Sequence, residues 1–147
     1  MGFGILVVDN EDRFFQQIEM WLGINWRRWS RAGDRPKVTK AHDLEEAREI
    51  LARQGGEIGV VVCDMLLSRD PKKCGPELYW FVRAKHPTVR FFIVSTDPQP
   101  LAQFCGLRDL PSEDEGSWKL LDPWSREWDA QGWLHRALFD ADPPEEG

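Results

Sequence analysis

Three short runs of apolar residues constrain the fold of this chain more than any other feature. They are GILVV at 4–8, IGVVVC at 58–63 and VRFFIV at 89–94. Each run is too short for a buried helix, and none alternates between apolar and polar residues as a strand with one solvated face does. Continuous apolar strands are typical of a parallel sheet that is covered on both faces. We therefore predict a parallel sheet that contains these three strands.

The first helix is predicted to be long. Apolar residues recur at helical spacing from Glu11 onward, and Trp26 and Trp29 continue the same stripe. We expect the helix to run towards Arg31 and to end near residues 33–34. Its tryptophans are interpreted as buried and its arginines as solvated; the alternative is that interleaved basic and aromatic residues bind single-stranded nucleic acid. The basic residues of this segment are Arg27, Arg28, Arg31, Arg35 and Lys37.

Two further helices have recognisable starts. Asp43, with Glu46 three residues later, predicts a capping box at the start of a second helix. Pro76 is typical of the first turn of a third helix. Helical spacing predicts that the buried side chains are Leu44, Ala47, Ile50 and Leu51 in the second helix and Leu78, Phe81 and Val82 in the third.

Alternating strands and helices together predict a doubly wound α/β fold. We expect a flavodoxin-like, five-stranded parallel sheet with helices on both faces. Residues 1–140 are predicted to form a single domain, and residues 141–147 a flexible acidic tail. The other expected elements are a weak strand at 37–41, a brief helix at 98–106, an acidic loop at 107–117, a strand at 118–121 and a last helix from Pro123 to about Phe139.

The composition excludes several classes of protein. The length of 147 residues suits one domain, and a net charge of −6 argues against non-specific binding to nucleic acid. Cys63, Cys74 and Cys105 include no CxxC spacing, so they fit neither a disulfide framework nor a zinc site. No segment has the roughly 18 apolar residues of a membrane helix. We therefore expect a soluble cytoplasmic protein.

Acidic and hydroxyl side chains follow the predicted strands. Asp9, Asp64 and Asp122 each follow a strand, and Ser95 follows another. The carboxyl ends of parallel strands meet at one edge, where two carboxylates 4 Å apart repel each other by roughly 4 kcal/mol at an effective dielectric constant of 20. Such a group requires a hard cation, a lysine or a raised pKa. The alternative is that these side chains only solvate the loops at the edge.

These motifs resemble the receiver domains of bacterial two-component response regulators. The resemblance rests on five segments that occur in the family's order and at workable spacings. They are ILVVDNE (5–11), VVCDMLLS (61–68), GPELYWFVRAKHP (75–87), FFIVST (91–96) and KLLDPW (119–124). Together these segments extend the resemblance over nearly the whole chain.

The resemblance implies a phosphorylation site. Asp64 is then the phosphoacceptor, which attacks a phosphohistidine of a histidine kinase, and Ser95 supplies the hydroxyl that contacts the phosphoryl group. Magnesium is then held by Asp9, Asn10, Asp64 and the backbone carbonyl of Leu66. Enzymatic activity is expected to be limited to self-catalysed phosphoryl transfer to Asp64.

Two positions depart from the family's pattern. Asn10 stands where the family has a second acid, and its amide oxygen is a weaker ligand for a hard cation. Asp122 stands where the family has the lysine that contacts the phosphoryl group, so an anion replaces a cation. Lys119 does not restore that charge, because it lies three residues earlier, at the position of the family's switch aromatic, and alternation directs it to the other side.

These departures predict an atypical receiver that binds magnesium weakly, switches poorly by phosphorylation and acts through protein–protein contact. One alternative is a functional, magnesium-dependent response regulator that a histidine kinase phosphorylates on Asp64. Another is a small metal-dependent hydrolase that uses Asp9, Asp64 and Asp122.

Tryptophans on the third helix and on the last helix are candidates for an interface. Trp80 and Trp133 lie off the apolar arcs of their helices, whereas Trp124 and Trp128 lie on the arc of the last helix. An indole on a polar face is a reasonable interface anchor, although it also packs back over neighbouring side chains in many helices. The expected partner is a histidine kinase or a downstream regulator, with a homodimer through the last strand and helix as a further option. Neither a membrane nor nucleic acid is expected as a partner.

Overall fold

Strands and helices alternate along the chain as the sequence predicts. The structure is a computed structural model, and it describes residues 4–29, 35–64, 75–94, 118–121, 135, 138 and 139. The predicted segments at 98–106, 107–117 and 141–147 lie outside these residues. The elements are β1 (Gly4–Val8), α1 (Arg13–Trp29), β2 (Val38–Ala41), α2 (Leu44–Gln54), a 3₁₀ turn (Gly55–Glu57), β3 (Ile58–Asp64), α3 (Gly75–Lys85), β4 (Arg90–Val94) and β5 (Trp118–Leu121).

The five strands form one parallel sheet in the order β2-β1-β3-β4-β5. The strand order reverses between β1 and β3, because the chain first builds outward to β2 and then returns across β1. Near the carboxyl edge, Val8 of β1 pairs with Ala41 of β2 and with Cys63 of β3. The predicted doubly wound, flavodoxin-like fold is confirmed.

Side chains on the two faces of the sheet belong to two separate apolar clusters. Leu6, Val61 and Cys63 pack with the buried faces of α2 and α3. Ile5, Val7, Val60 and Val62 pack with the buried face of α1, and with Leu138 and Phe139 near the end of the chain. The buried residues of α2 are the four that helical spacing predicts: Leu44, Ala47, Ile50 and Leu51.

The tryptophans of α1 are buried, as predicted. Trp21, Trp26 and Trp29 are each no more than 9% exposed. Trp26 stacks on Phe139, with ring centroids 5.6 Å apart, and Trp29 meets His135 edge-on at 5.3 Å. These contacts join α1 to helical residues near the carboxyl terminus. The stripe therefore belongs to the core, which disfavours a nucleic-acid surface built on these indoles.

The start of α1 lies slightly later than predicted. The sequence pattern places helical spacing from Glu11, whereas the helix begins at Arg13. The backbone N–H of Glu11 instead donates to Asp9 Oδ1 at 2.9 Å, which holds this residue in a turn before the helix. The Asp12 carbonyl accepts the first helical hydrogen bond, from Gln16 N at 3.0 Å. Residues 30–34, where the end of the helix is predicted, lie outside the described ranges.

None of the described helices is long and apolar enough to cross a membrane.

The predicted capping box of α2 forms in part. Asp43 is the N-cap, and its Oδ1 accepts a hydrogen bond from Glu46 N at 2.8 Å. The Glu46 carboxylate does not complete the box with Asp43. It accepts instead from the backbone N–H of His42 at 3.4 Å, and it lies 3.3 Å from His42 Nδ1. The Glu46 carboxylate therefore contacts His42, the residue before the N-cap, in place of the N-cap backbone.

The sequence pattern does not identify the burial of Tyr79 on α3. Tyr79 is 3% exposed and meets Phe91 of β4 edge-on at 5.6 Å. Arg83 lies over the Tyr79 ring and donates to the carbonyls of Pro87 and Val89, which fixes the connection from α3 to β4. Burial lowers the pKa of the Arg83 guanidinium.

The stack of Trp26 on Phe139 should contribute measurably to stability. In a double-mutant cycle of Trp26→Leu and Phe139→Leu, followed by urea unfolding, we expect a coupling energy of about 1 kcal/mol. Leu78→Ala, on the opposite face of the sheet, is the control, and its effect should add to that of Trp26→Leu. A Trp26–Phe139 coupling no larger than this control would contradict the packing of α1 against the terminal helical residues.

Candidate functional site

Two of the predicted site residues occupy neighbouring positions at the carboxyl edge of the sheet. Val8, the last residue of β1, pairs with Cys63 of β3. Asp9 follows Val8 directly, and Asp64, the last residue of β3, follows Cys63. Neighbouring parallel strands lie about 4.8 Å apart. Asp9 and Asp64 therefore flank the point where the strand order reverses, which is where ligands bind in sheets of this kind.

The two aspartates also belong to the same face of the sheet. Val7 precedes Asp9 by two residues, Val62 precedes Asp64 by two residues, and both valines pack in the cluster that faces α1. Because side chains alternate along a strand, the two carboxylates continue this face at the edge. Both aspartates are partly buried. The arrangement concentrates negative charge in one partly shielded position.

The loop after β1 is held by hydrogen bonds on both sides. Asp9 N donates to the carbonyl of Ala41 in β2 at 3.0 Å, and Asp9 Oδ1 accepts from Glu11 N at 2.9 Å. One carboxylate oxygen of Asp9 thus orients the loop backbone. Asn10, which the resemblance assigns to the metal pair, is exposed. The loop presents its acidic and amide oxygens at the edge of the sheet.

A lysine on β2 adds a cation that the sequence analysis did not identify. Lys40 pairs in register with Val7 of β1, and its Nζ forms an ion pair with Asp12 Oδ1. The Lys40 side chain is only 19% exposed and lies 5.8 Å from the centre of the Phe15 ring. His42 Nε2 is 3.7 Å from the same Asp12 oxygen. Among the described residues, the positive charge at this edge therefore lies on the β2 side of residues 9–12, the acidic loop between β1 and α1.

The other predicted site residues lie outside the described residues or are described in part. The backbone of Lys119 in β5 pairs with Phe92 in β4, but the Lys119 side chain is not described. The roles assigned to these positions remain predictions. The residues that lie wholly outside are Leu66, Ser95, Asp122, Trp124, Trp128 and Trp133.

The side-chain oxygens at this edge are of the type that binds a hard divalent cation, but only two of the three residues that supply them are acidic. Asp9 and Asp64 supply carboxylate oxygens and Asn10 an amide oxygen, which are the ligand types that Mg²⁺ prefers. Within the described ranges, no three histidine, cysteine or acidic side chains converge as a metal-binding group. The chemistry of these ligand atoms thus matches magnesium, with two carboxylates at adjacent strand ends.

Removing the charge of Lys40 should strengthen magnesium binding. The ammonium group neutralises part of the acidic loop's field, so we expect Lys40→Met to lower the Kd for Mg²⁺ by about two- to fivefold, as befits a partly exposed ion pair. Isothermal titration calorimetry at low ionic strength measures this change. Lys37→Met is the matched control, because Lys37 is exposed and precedes β2 at the opposite edge of the sheet. Unchanged or weaker binding in Lys40→Met would contradict this role.

Comparisons with known proteins identify the fold. The structure superposes on a response-regulator receiver domain protein from Clostridium thermocellum, with a TM-score of 0.65 and 21% identity over 95% of this chain and 93% of that one. A signal receiver domain of an HD domain-containing protein from Pseudomonas fluorescens Pf-5 gives 0.63 and 20%, over 92% and 85% of the two chains. A protein described as an adenylate cyclase from Rhodopirellula baltica gives 0.63 and 16%, over 94% and 88%.

Sequence comparison adds no assignment to this structural likeness. No protein-family model matches the chain, and no curated protein sequence matches it either. At identities near 20%, a structural match establishes fold and not activity. The chain therefore has the fold of response-regulator receiver domains, with Asp9 and Asp64 side by side at the carboxyl edge of its sheet.

Proposed function

We propose that this protein is an atypical receiver that acts through protein–protein contact in bacterial signal transduction and switches poorly or not at all by phosphorylation. The observation that carries the proposal is the distribution of charge at the carboxyl edge. Asp9 and Asp64 are neighbours there, while Lys40 lies on β2 and pairs with Asp12. The resemblance calls for a lysine after β5, and the sequence has Asp122 in that position.

The register of the sheet supports the importance of Asp122. Asp64 pairs with Val94 of β4, and Val94 pairs with Leu121, the last residue of β5. Asp122 is the next residue of the chain, so we expect its carboxylate at the same edge as Asp64. Phosphorylation would replace the single negative charge of the Asp64 carboxylate by an acyl phosphate with a charge of up to −2, at an edge that already carries the Asp9 carboxylate. Like charges so close together disfavour the phosphorylated state, because a lysine that would offset them is replaced by an acid.

The partner of such a module would bind an exposed surface. Trp80 on α3 is 46% exposed, and its ring contacts Tyr79 at 5.1 Å, which supports it as an anchor of limited mobility. A histidine kinase or a downstream regulator remains the proposed class of partner. The option of a homodimer through the last strand and helix depends on Trp124, Trp128 and Trp133, which lie outside the described residues.

The second candidate is a working phosphoacceptor, which the position of Asp64 beside Asp9 favours. In that reaction a carboxylate oxygen of Asp64 attacks phosphorus, the bond from phosphorus to the histidine nitrogen breaks, and an acyl phosphate forms. A bound magnesium ion would offset charge on the transferred group. The protein's own contribution would be to hold the Asp64 carboxylate in line for attack at the end of a rigid central strand.

Incubation with acetyl phosphate and magnesium, followed by intact-mass measurement, separates these two functions. We expect no phosphoryl adduct on the parent protein, and an adduct on Asp122→Lys that disappears when Asp64→Asn is added. The physical reason is that a lysine after β5 would offset the charge of the phosphoryl group.

An adduct on the parent protein that is absent from Asp64→Asn would overturn the proposal and establish the phosphoacceptor function. A lack of adduct on both the parent protein and Asp122→Lys would contradict the claim that Asp122 prevents phosphorylation of Asp64. Circular dichroism of each variant checks that the fold is retained.

A further inference from the structure

The outer face of α1 carries two of the three large hydrophobic side chains that are exposed in the described part of the chain. Three large hydrophobic side chains are exposed in the described residues: Met20 at 53% and Ile24 at 66% on α1, and Trp80 at 46% on α3. Met20 and Ile24 lie four residues apart on α1, so they are neighbours on one face of the helix. This face is opposite the tryptophan stripe, which already packs on the sheet. The pair therefore lies outside the core and is accessible to another molecule.

Gly23 lies between these two side chains and is exposed. A glycine in the middle of a helix costs about 1 kcal/mol relative to alanine. An added Cβ would meet the end of the Arg35 side chain at 3.3 Å, and that side chain forms an ion pair with Glu19, so the glycine leaves room for Arg35. A second helix approaches closely at Gly23 once the flexible end of Arg35 moves aside, which breaks only its partly exposed ion pair with Glu19.

Charge is distributed along α1 in a self-complementary way. Glu11, just before the helix, is exposed, and so are Arg27 and Arg28 in its last turn, whereas Asp12 is already paired with Lys40. When two copies of such a helix pack antiparallel, the acidic start of each lies against the basic end of the other. The two helix dipoles then also oppose each other favourably. A two-fold symmetric pair satisfies both ends at once, because the same surface is used twice.

We propose that the face of α1 formed by Met20, Gly23 and Ile24 binds a second copy of this chain. The two α1 helices are antiparallel, and the two-fold axis that relates them passes near Met20. The patch lies 7–11 residues into α1, or roughly 10–16 Å from the start of the helix at the carboxyl edge. Dimerisation therefore leaves Asp9 and Asp64 accessible, and it is independent of whether Asp64 is phosphorylated. It also differs from a dimer through the last strand and helix.

Sedimentation velocity of the full chain over a range of concentrations tests the position of the interface. We expect a reversible dimer for the parent protein and a monomer for Ile24→Glu, because a carboxylate would be buried against the partner helix. Ala52→Glu is the matched control, since it adds the same charge at an exposed position on α2 and should leave the dimer unchanged. A parent protein that stays monomeric overturns the proposal and leaves the face to a different partner. A dimer that survives Ile24→Glu overturns the assignment to α1.

A charge-reversal experiment tests the antiparallel arrangement. Glu11→Arg alone and Arg27→Glu alone should each weaken the dimer, because each creates two like-charged contacts across the two-fold axis. An equal mixture of the two variants should form a heterodimer, because both contacts are then between opposite charges. Failure of the mixture to associate more strongly than either variant alone would contradict the arrangement. Circular dichroism confirms that each surface variant remains folded.

Discussion

The structure depends on covering both faces of a parallel sheet. Ile5 and Leu6 are adjacent residues of β1 that point to opposite faces, and both are completely buried. Leaving either face in water would expose a continuous apolar surface, so helices have to pack on both sides. The alternation of strands and helices follows from this requirement, since each crossover delivers a helix to one face. It also brings the carboxyl ends of all strands to one edge, where the acidic side chains meet.

The charges at that edge are the reason why we propose that the chain keeps the fold of a receiver domain without its phosphorylation switch. Asp9 and Asp64 occupy adjacent strand ends, and the turn of Asp9 with Glu11 orders the loop between β1 and α1. Lys40 offsets acidic charge from the β2 side through Asp12. A cation in this position neutralises the loop, whereas a cation after β5 would face a group attached to Asp64. The proposed loss of switching follows from Asp122 in place of the family's lysine and from the position of Lys40 among the described residues, although the fold itself is that of a receiver domain.

Much of the fold could be predicted because its signals are local. The apolar runs identify the central strands, and helical spacing identifies the buried face of α2 and the tryptophan stripe of α1. The adjacency of Asp9 and Asp64 could also be predicted, because each follows a readable strand. The ion pair of Lys40 with Asp12 could not, since it depends on the pairing of β1 with β2. The burial of Tyr79 likewise depends on its contact with Phe91, which helical spacing alone does not reveal.

The central claim is that a receiver fold is retained while its response to a phosphoryl donor is lost. The most direct test is the backbone amide NMR spectrum of the labelled full chain, recorded with magnesium and then with acetyl phosphate added. We predict that magnesium shifts amides around Asp9 and Asp64, and that the donor causes no further change in β4, β5 or the residues near Phe139. New shifts that spread from Asp64 through Val94 to Leu121 after addition of the donor would contradict the account.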